Sequence, residues 1–185
     1  MSVELLSIIA TIGLAVIGFI VTYLNNLRLA RRKERLDLVE RRLNEFYGPL
    51  FVACVAADLG YKTLLKRLNR RTVFDPNDPL TKEQLQEWRS WIKLVVIPLD
   101  DIREQLILHN AHLIREDEMP DCLLRYVAHV YTYRAVLTNM DELDDNSHYE
   151  APGDVLQEVY DYAVRSYREL KAAQLRLIGG KAGRS

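Results

Sequence analysis

LQEWRSWIKLVVIPLDDIREQL, residues 85–106, carries the pattern on which the fold class turns. Leu85, Trp88, Ile92, Val95, Leu99, Ile102 and Leu106 follow one another at steps of three and four without a miss, which is the spacing of one face of an α-helix. Pro98 falls inside the run and the helical phase survives it, so the segment reads as a proline-kinked helix or two helices nearly in line. A short strand through Leu94–Ile97 competes with this reading, but the helical phase on both sides weighs against it.

Working outward, the same alternation recurs. Thr81 with Gln84 forms a capping-box signal for the helix start, after a DPNDP turn at Asp75–Pro79. The preceding helix, Leu50 to about Asn69, has apolar positions at Leu50, Cys54, Ala57, Tyr61, Leu64 and Leu68 and a second row at Phe51, Val55 and Leu59. Beyond the acidic turn REDEMPD, Pro120 opens a helix with a core face of Leu123, Val127 or Tyr126, Val130, Tyr133 and Leu137. Asp141–Pro152 reads as a polar, acidic loop. A last helix from Asp154 uses Leu156, Val159, Ala163, Ser166, Leu170, Ala173 and Leu177, and ends at Gly179-Gly180. No stretch sustains a period of two, so the expected fold class is all-α.

At the N-terminal end, LLSIIATIGLAVIGFIVTYL (Leu5–Leu24) has no charge between Glu4 and Arg28. As a helix its length is roughly 30 Å, the thickness of a bilayer's hydrocarbon. MSVE is not a basic n-region, and a basic run follows the span directly, so it reads as an uncleaved anchor. Arg28, Arg31, Arg32, Lys33 and Arg35 follow the span with only Glu34 opposing, while the N-terminal side has no Lys or Arg. The positive-inside rule then puts the N-terminus outside and the body in the cytoplasm, at the cell (inner) membrane, with Tyr23 as an interfacial anchor and lipid as a partner. Ser7, Thr11, Ala15, Gly18 and Thr22 share one helical face, where small residues favour helix association. Leu29, Leu36, Leu43 and Leu50 recur every seven residues, with Val39 and Phe46 filling the position three further on, as in a coiled coil. Ser7 to Thr22 with Leu29, Leu36 and Leu43 form the candidate homo-oligomer face; the competing use of the leucine seam is packing on its own domain. Gly48-Pro49 is expected to interrupt the helix. The expected organisation is an anchor at 1–26, a juxtamembrane connector at 27–48, a cytoplasmic bundle of about five helices at 49–178 and a flexible tail at 179–185.

The 185 residues are 49% hydrophobic and 28% charged, enough for one domain with an appendage. With 25 Lys and Arg against 26 Asp and Glu, no general nucleic-acid affinity is expected. Charge is segregated locally. Asp141, Glu142, Asp144, Asp145, Glu150, Asp154, Glu158 and Asp161 lie in a stretch without Lys or Arg, and Lys62, Lys66, Arg67, Arg70 and Arg71 in one without acids. Those five bases are the candidate site for an anionic or nucleotide ligand, against the plainer reading of a solvated face. A third basic cluster, Arg165, Arg168, Lys171, Arg176, Lys181 and Arg184, closes the chain.

Catalytic signals are thin. There is no GxSxG elbow, P-loop, dinucleotide fingerprint or HExxH. His109 and His112, with Glu116 a turn further on, have weak metal-ligand spacing and more simply occupy a polar helix end. His129, beside Arg125 and Tyr133, reads as half-buried, and His148 as a loop residue. Cys54 lies in an apolar stretch and Cys122 beside acids, so neither reads as a nucleophile. Trp88 and Trp91 read as packing. No enzyme activity, metal or cofactor is expected.

RLNEFYGPL (Arg42–Leu50), VVIPLDDI (Val95–Ile102), HLIREDEMPDCLLRYVAHV (His112–Val130) and RELKAAQLRLI (Arg168–Ile178) together resemble a loose set of bacterial proteins with no assigned activity, each a short membrane helix followed by a helical cytoplasmic domain. The resemblance implies the same architecture and carries no functional residues. The expected function is a non-enzymatic interaction or scaffold protein, homo-oligomeric, with a cytoplasmic protein partner. The alternative is a membrane effector, as in phage defence, gated by an anionic messenger bound to the bundle.

Overall fold

The computed structural model describes residues 3–140 and 153–179. The expected acidic loop with His148, the tail beyond Gly179 and its Lys181 and Arg184 lie outside them. The described residues are all-helical, with no strand. The helices are α1 (Val3–Arg42), α2 (Gly48–Leu68), α3 (Lys82–Trp91), α4 (Ile97–His109), α5 (Asp121–Met140) and α6 (Gly153–Gly179). A five-residue π-turn, Leu43–Tyr47, joins α1 to α2, and a second, Ile92–Val96, joins α3 to α4. The chain therefore runs as four continuous helical segments among the described residues, where about five helices behind an anchor were expected.

The two π-turns have one cause. Pro49 and Pro98 each stand six positions after the first residue of their turn. Proline has no N–H, and in an α-helix its ring strikes the carbonyl four residues back. One extra residue in the turn before it widens the loop and removes that clash, so the helix continues. The N–H groups of Gly48 and Ile97 close the turns, donating to Leu43 O and Ile92 O. Gly48-Pro49 accordingly does not break the helix as expected. The first turn is the tighter, since a Cβ on Gly48 would stand 2.4 Å from Leu43 O, whereas the matching place in the second holds Ile97.

The extra residue shifts the helical phase. Up to the first residue of the second turn the expected row holds, with Leu85 and Trp88 half-buried and Ile92 4% exposed. After it, the buried positions of α4 are Asp100, Arg103, Glu104 and Ile107, one residue later than the expected Leu99, Ile102 and Leu106. Ile102 is 48% exposed. The unbroken three-four alternation across Pro98 thus misassigned the core of α4, because counting along the sequence does not register an inserted residue.

The chain divides into two compact units, Met1–Glu40 with Ala173–Ser185, and Arg41–Ala172. In the first, every side chain from Thr11 to Leu24 is exposed, and this helix is long and apolar enough to cross a membrane. The last turns of α6 lie against the polar part of α1. Arg32 Nε donates to Leu177 O at 2.9 Å, and Gln174 Nε2 to Glu40 Oε1 at 3.3 Å. A cation on the final carbonyls of a helix satisfies an orphan acceptor and suits the helix dipole.

In the second unit the core holds Phe46, Tyr47, Leu50, Leu64, Leu123, Tyr126, Val130, Val159 and Ala163. Of these, Leu50, Leu64, Leu123, Val130, Val159 and Ala163 stand in the expected rows of α2, α5 and α6, and Tyr126 is buried in place of Val127; Tyr47 was not foreseen, and the expected core positions Leu59, Tyr61 and Leu156 are 58%, 40% and 37% exposed. Tyr47 is its polar centre. Its hydroxyl lies 3.1 Å from that of Tyr162 and accepts from the Arg115 backbone N–H at 3.1 Å, and Tyr162 donates to Glu116 at 3.0 Å. Phe51 and Tyr167 stack with ring centroids 4.5 Å apart. The capping box of α3 is present as expected, with Thr81 accepting from the Gln84 N–H and Gln84 accepting from that of Thr81.

Candidate functional site

Burying ionised side chains costs several kcal/mol each unless they are paired, so a helix that turns Asp100, Arg103 and Glu104 inward marks a place to look for function. Each is satisfied locally. Asp100 Oδ1 accepts from the Tyr126 hydroxyl at 2.7 Å and from Arg103 Nη2. Arg103 Nε donates to Leu99 O at 3.3 Å, and the guanidinium carbon stands 5.1 Å from the Tyr126 ring centroid. One turn along, Arg134 donates to both Asp101 and Glu104.

These contacts set the proton affinities. Burial pushes the Tyr126 hydroxyl well above the usual phenol range; Arg103 opposes the shift and Asp100 adds to it. Burial also pushes the Cys54 thiol up against the pull of Arg103, so Cys54 is a thiol and a poor nucleophile. His129 is lowered, first by burial and then by Arg103, against Asp100. Glu104 is lowered in spite of its burial, because Arg134 and Tyr131 hydrogen-bond its carboxylate.

Beside this network lies a cavity of about 660 Å³. Cys54, Ala57 and Tyr61 of α2 form one side, and Trp88 and Trp91 of α3 with Val95 of the π-turn form another. Asp100 and Arg103 contribute from α4, His129 and Tyr133 from α5, and Leu156 and Tyr160 from α6. The volume lies within the range of small-molecule sites. Gly60 lets α2 approach this wall, since a Cβ there would stand 3.1 Å from the Trp91 ring.

Of the five basic residues singled out as an anion site, Lys62 alone lines the cavity, and it is bound to Asp58 at 2.7 Å. Arg67 pairs with Glu87 at 2.7 Å and Arg70 with Asp78 at 3.2 Å, while Lys66 and Arg71 are exposed. The five do not converge on one point. Tyr23, Arg28, Arg31, Lys33 and Arg35 are exposed, and Arg32 is the one engaged with α6. Ser7, Thr11, Ala15, Gly18 and Thr22 are exposed, with the Thr11 and Thr22 hydroxyls donating to their own helix at Ser7 O and Gly18 O. Leu29 is 49% exposed, Leu36 is half-buried and Leu43 is buried within its own unit. His109 bonds Gln105 O at 2.8 Å, and His112 sits 3.5 Å from Arg41. Among the described residues no three His, Cys, Asp or Glu side chains gather as a metal site would need.

Asp100 and Arg103 escaped sequence reasoning, and Tyr126 was read only as an alternative core position. The available signal was the opposite-charge pair Asp100 and Arg103 at i and i+3, and the same pattern is what a solvated helix face shows. The chain matches no protein family, no curated protein and no solved structure.

Proposed function

We propose that this chain is a single-pass membrane protein, N-terminus outside, whose helical body acts in the cytoplasm by binding and not by catalysis, as a scaffold assembled from several copies. The observation that carries the reading is the exposure of α1. From Thr11 to Leu24 no side chain is covered, and a strip of large apolar groups bare to water is a liability that a bilayer removes. The basic residues Arg28 to Arg35 that follow favour a cytoplasmic body and contact with anionic lipid. Copies would meet through the exposed Ala15 and through Gly18, where nothing lies within 4 Å of a Cβ position, by close packing, since the threonine hydroxyls are already used within the helix.

The test is a pair of fusions after Ser185, one to a fluorescent protein that matures in the cytoplasm and one to a phosphatase active outside it. Fluorescence without phosphatase activity is expected, and the reverse pattern refutes the topology. Native mass spectrometry from mild detergent reads the copy number, and a monomer refutes the assembly.

The second reading is the gated effector, and the cavity beside Asp100 and Arg103 favours it. In that case a small molecule bound there shifts the assembly of the anchor helices. Cysteine cross-linking at residue 15 or 18, with and without ligand, separates the two: a scaffold gives one pattern and an effector gives two.

A further inference from the structure

The cavity's charges decide what it can hold. Among the described residues they come as two neutral couples, Asp58 with Lys62 at 2.7 Å toward the exposed side and Asp100 with Arg103 in the buried floor, where the two side chains are 6% and 7% exposed. An ionic ligand entering here finds each opposite charge already spoken for, and its own dehydration uncompensated. An uncharged one loses little on entry and buries its faces against Trp88, Trp91, Phe74 and Tyr133.

Arg103 supplies the polar anchor. A guanidinium carries five N–H donors. Its bonds to Leu99 O and Asp100 Oδ1 use two. The donors left over have nothing acidic to neutralise, which suits a carbonyl oxygen. We infer that the cavity is a binding site for an uncharged, flat aromatic carbonyl compound, its rings against the tryptophans and its oxygen toward Arg103. The inference does not depend on the membrane reading, because every wall belongs to the unit Arg41–Ala172.

Trp88 and Trp91 are the chain's two tryptophans, and both line the cavity, so intrinsic fluorescence reports its occupancy. Full-length protein in lipid nanodiscs is titrated with 9-fluorenone, with fluorene as the analogue lacking oxygen and fluorenone-4-carboxylate as the anionic one. Saturable quenching at one 9-fluorenone per chain is expected, with fluorene about fivefold weaker for want of one hydrogen bond and the carboxylate weaker still. Filling the cavity by Ala57→Leu, or independently by Leu156→Phe, removes the saturable component while circular dichroism shows an intact helical fold. Linear quenching shared by wild type and both filled variants is partition into lipid and overturns the site. Carboxylate binding equal to that of 9-fluorenone overturns the ligand class.

Discussion

The Tyr126 hydroxyl donates to Asp100 Oδ1 at 2.7 Å across the interface of α4 and α5, and the same oxygen holds Arg103. Asp100 is thus the hinge of a three-residue network whose other two members also meet, the Arg103 guanidinium carbon 5.1 Å from the Tyr126 ring centroid. Removing its charge leaves Arg103 buried and unpaired. Asp100→Ala is expected to cost about 3–5 kcal/mol and Tyr126→Phe about 1.5–3 kcal/mol by chemical denaturation. The double replacement Asp100→Leu with Arg103→Met, which removes both charges, should recover most of the loss. If the double variant is as unstable as Asp100→Ala, the pair is not acting as a charge couple.

The phase shift after the second π-turn is testable with two isoleucines five positions apart. Ile102 is 48% exposed and Ile107 is 2% exposed. Ile102→Ala is expected to change stability by under about 0.5 kcal/mol and Ile107→Ala to cost about 2–5 kcal/mol. Equal costs would restore the unbroken helical phase that the sequence alone suggests.

Gly48 and Ile97 occupy matching places, but the first turn has no room for a Cβ against Leu43 O. Gly48→Ala should therefore destabilise by about 1–3 kcal/mol, the range for forcing an extra carbon into a packed position, although alanine is ordinarily the better helix former. A stabilised Gly48→Ala protein would mean that the turn relaxes to admit it.

Acid should loosen the second unit in two steps of the same sign. The folded His129 has a pKa below its ordinary 6.5, so the unfolded chain takes up its proton first. Stability is fully present above that value and falls as pH drops below it toward the folded pKa. Glu104 is likewise depressed from an ordinary 4.5, and its contribution is lost in a lower window as pH falls through its folded pKa. His129→Gln should flatten the upper step in melting temperature against pH and leave the lower one. Loss of both steps would assign them to a shared global event.

Arg32 ties the end of α6 to α1 through Leu177 O. Arg32→Ala is expected to speed amide hydrogen exchange in the last turn of α6, by the few-fold that about 0.5–1 kcal/mol of lost capping allows. Exchange in the Asp100 network should not change. Acceleration across α4 and α5 instead would show that the contact supports far more than a helix end.

Much of the framework was readable because burial and helical period agree in α2, α5 and α6. Leu50, Leu64, Leu123, Val159 and Leu170 lie where a 3.6-residue repeat puts them. The cap at Thr81 was readable because it is chemistry local to four residues. The floor of the cavity was not. Asp100 and Arg103 are buried only because the five-residue π-turn upstream advances the phase by one, and the composition of Ile92–Val96 does not announce a π-turn. The proline at 98 was the visible trace, and its recurrence at 49 shows the same adjustment made twice. Lys62, Arg67 and Arg70 look like a cationic cluster in sequence because their partners Asp58, Glu87 and Asp78 belong to other turns or to α3.

The Tyr47 hydroxyl has its own bearing on how the molecule is made. Tyr162 lies 115 residues later and Phe51's stacking partner Tyr167 later still. A ribosome therefore delivers α1 and the first aromatic residues of the core well before their partners exist. Through most of the synthesis of this stretch Phe46, Tyr47 and Phe51 wait without their final cover, and they gain it only when α6 reaches them.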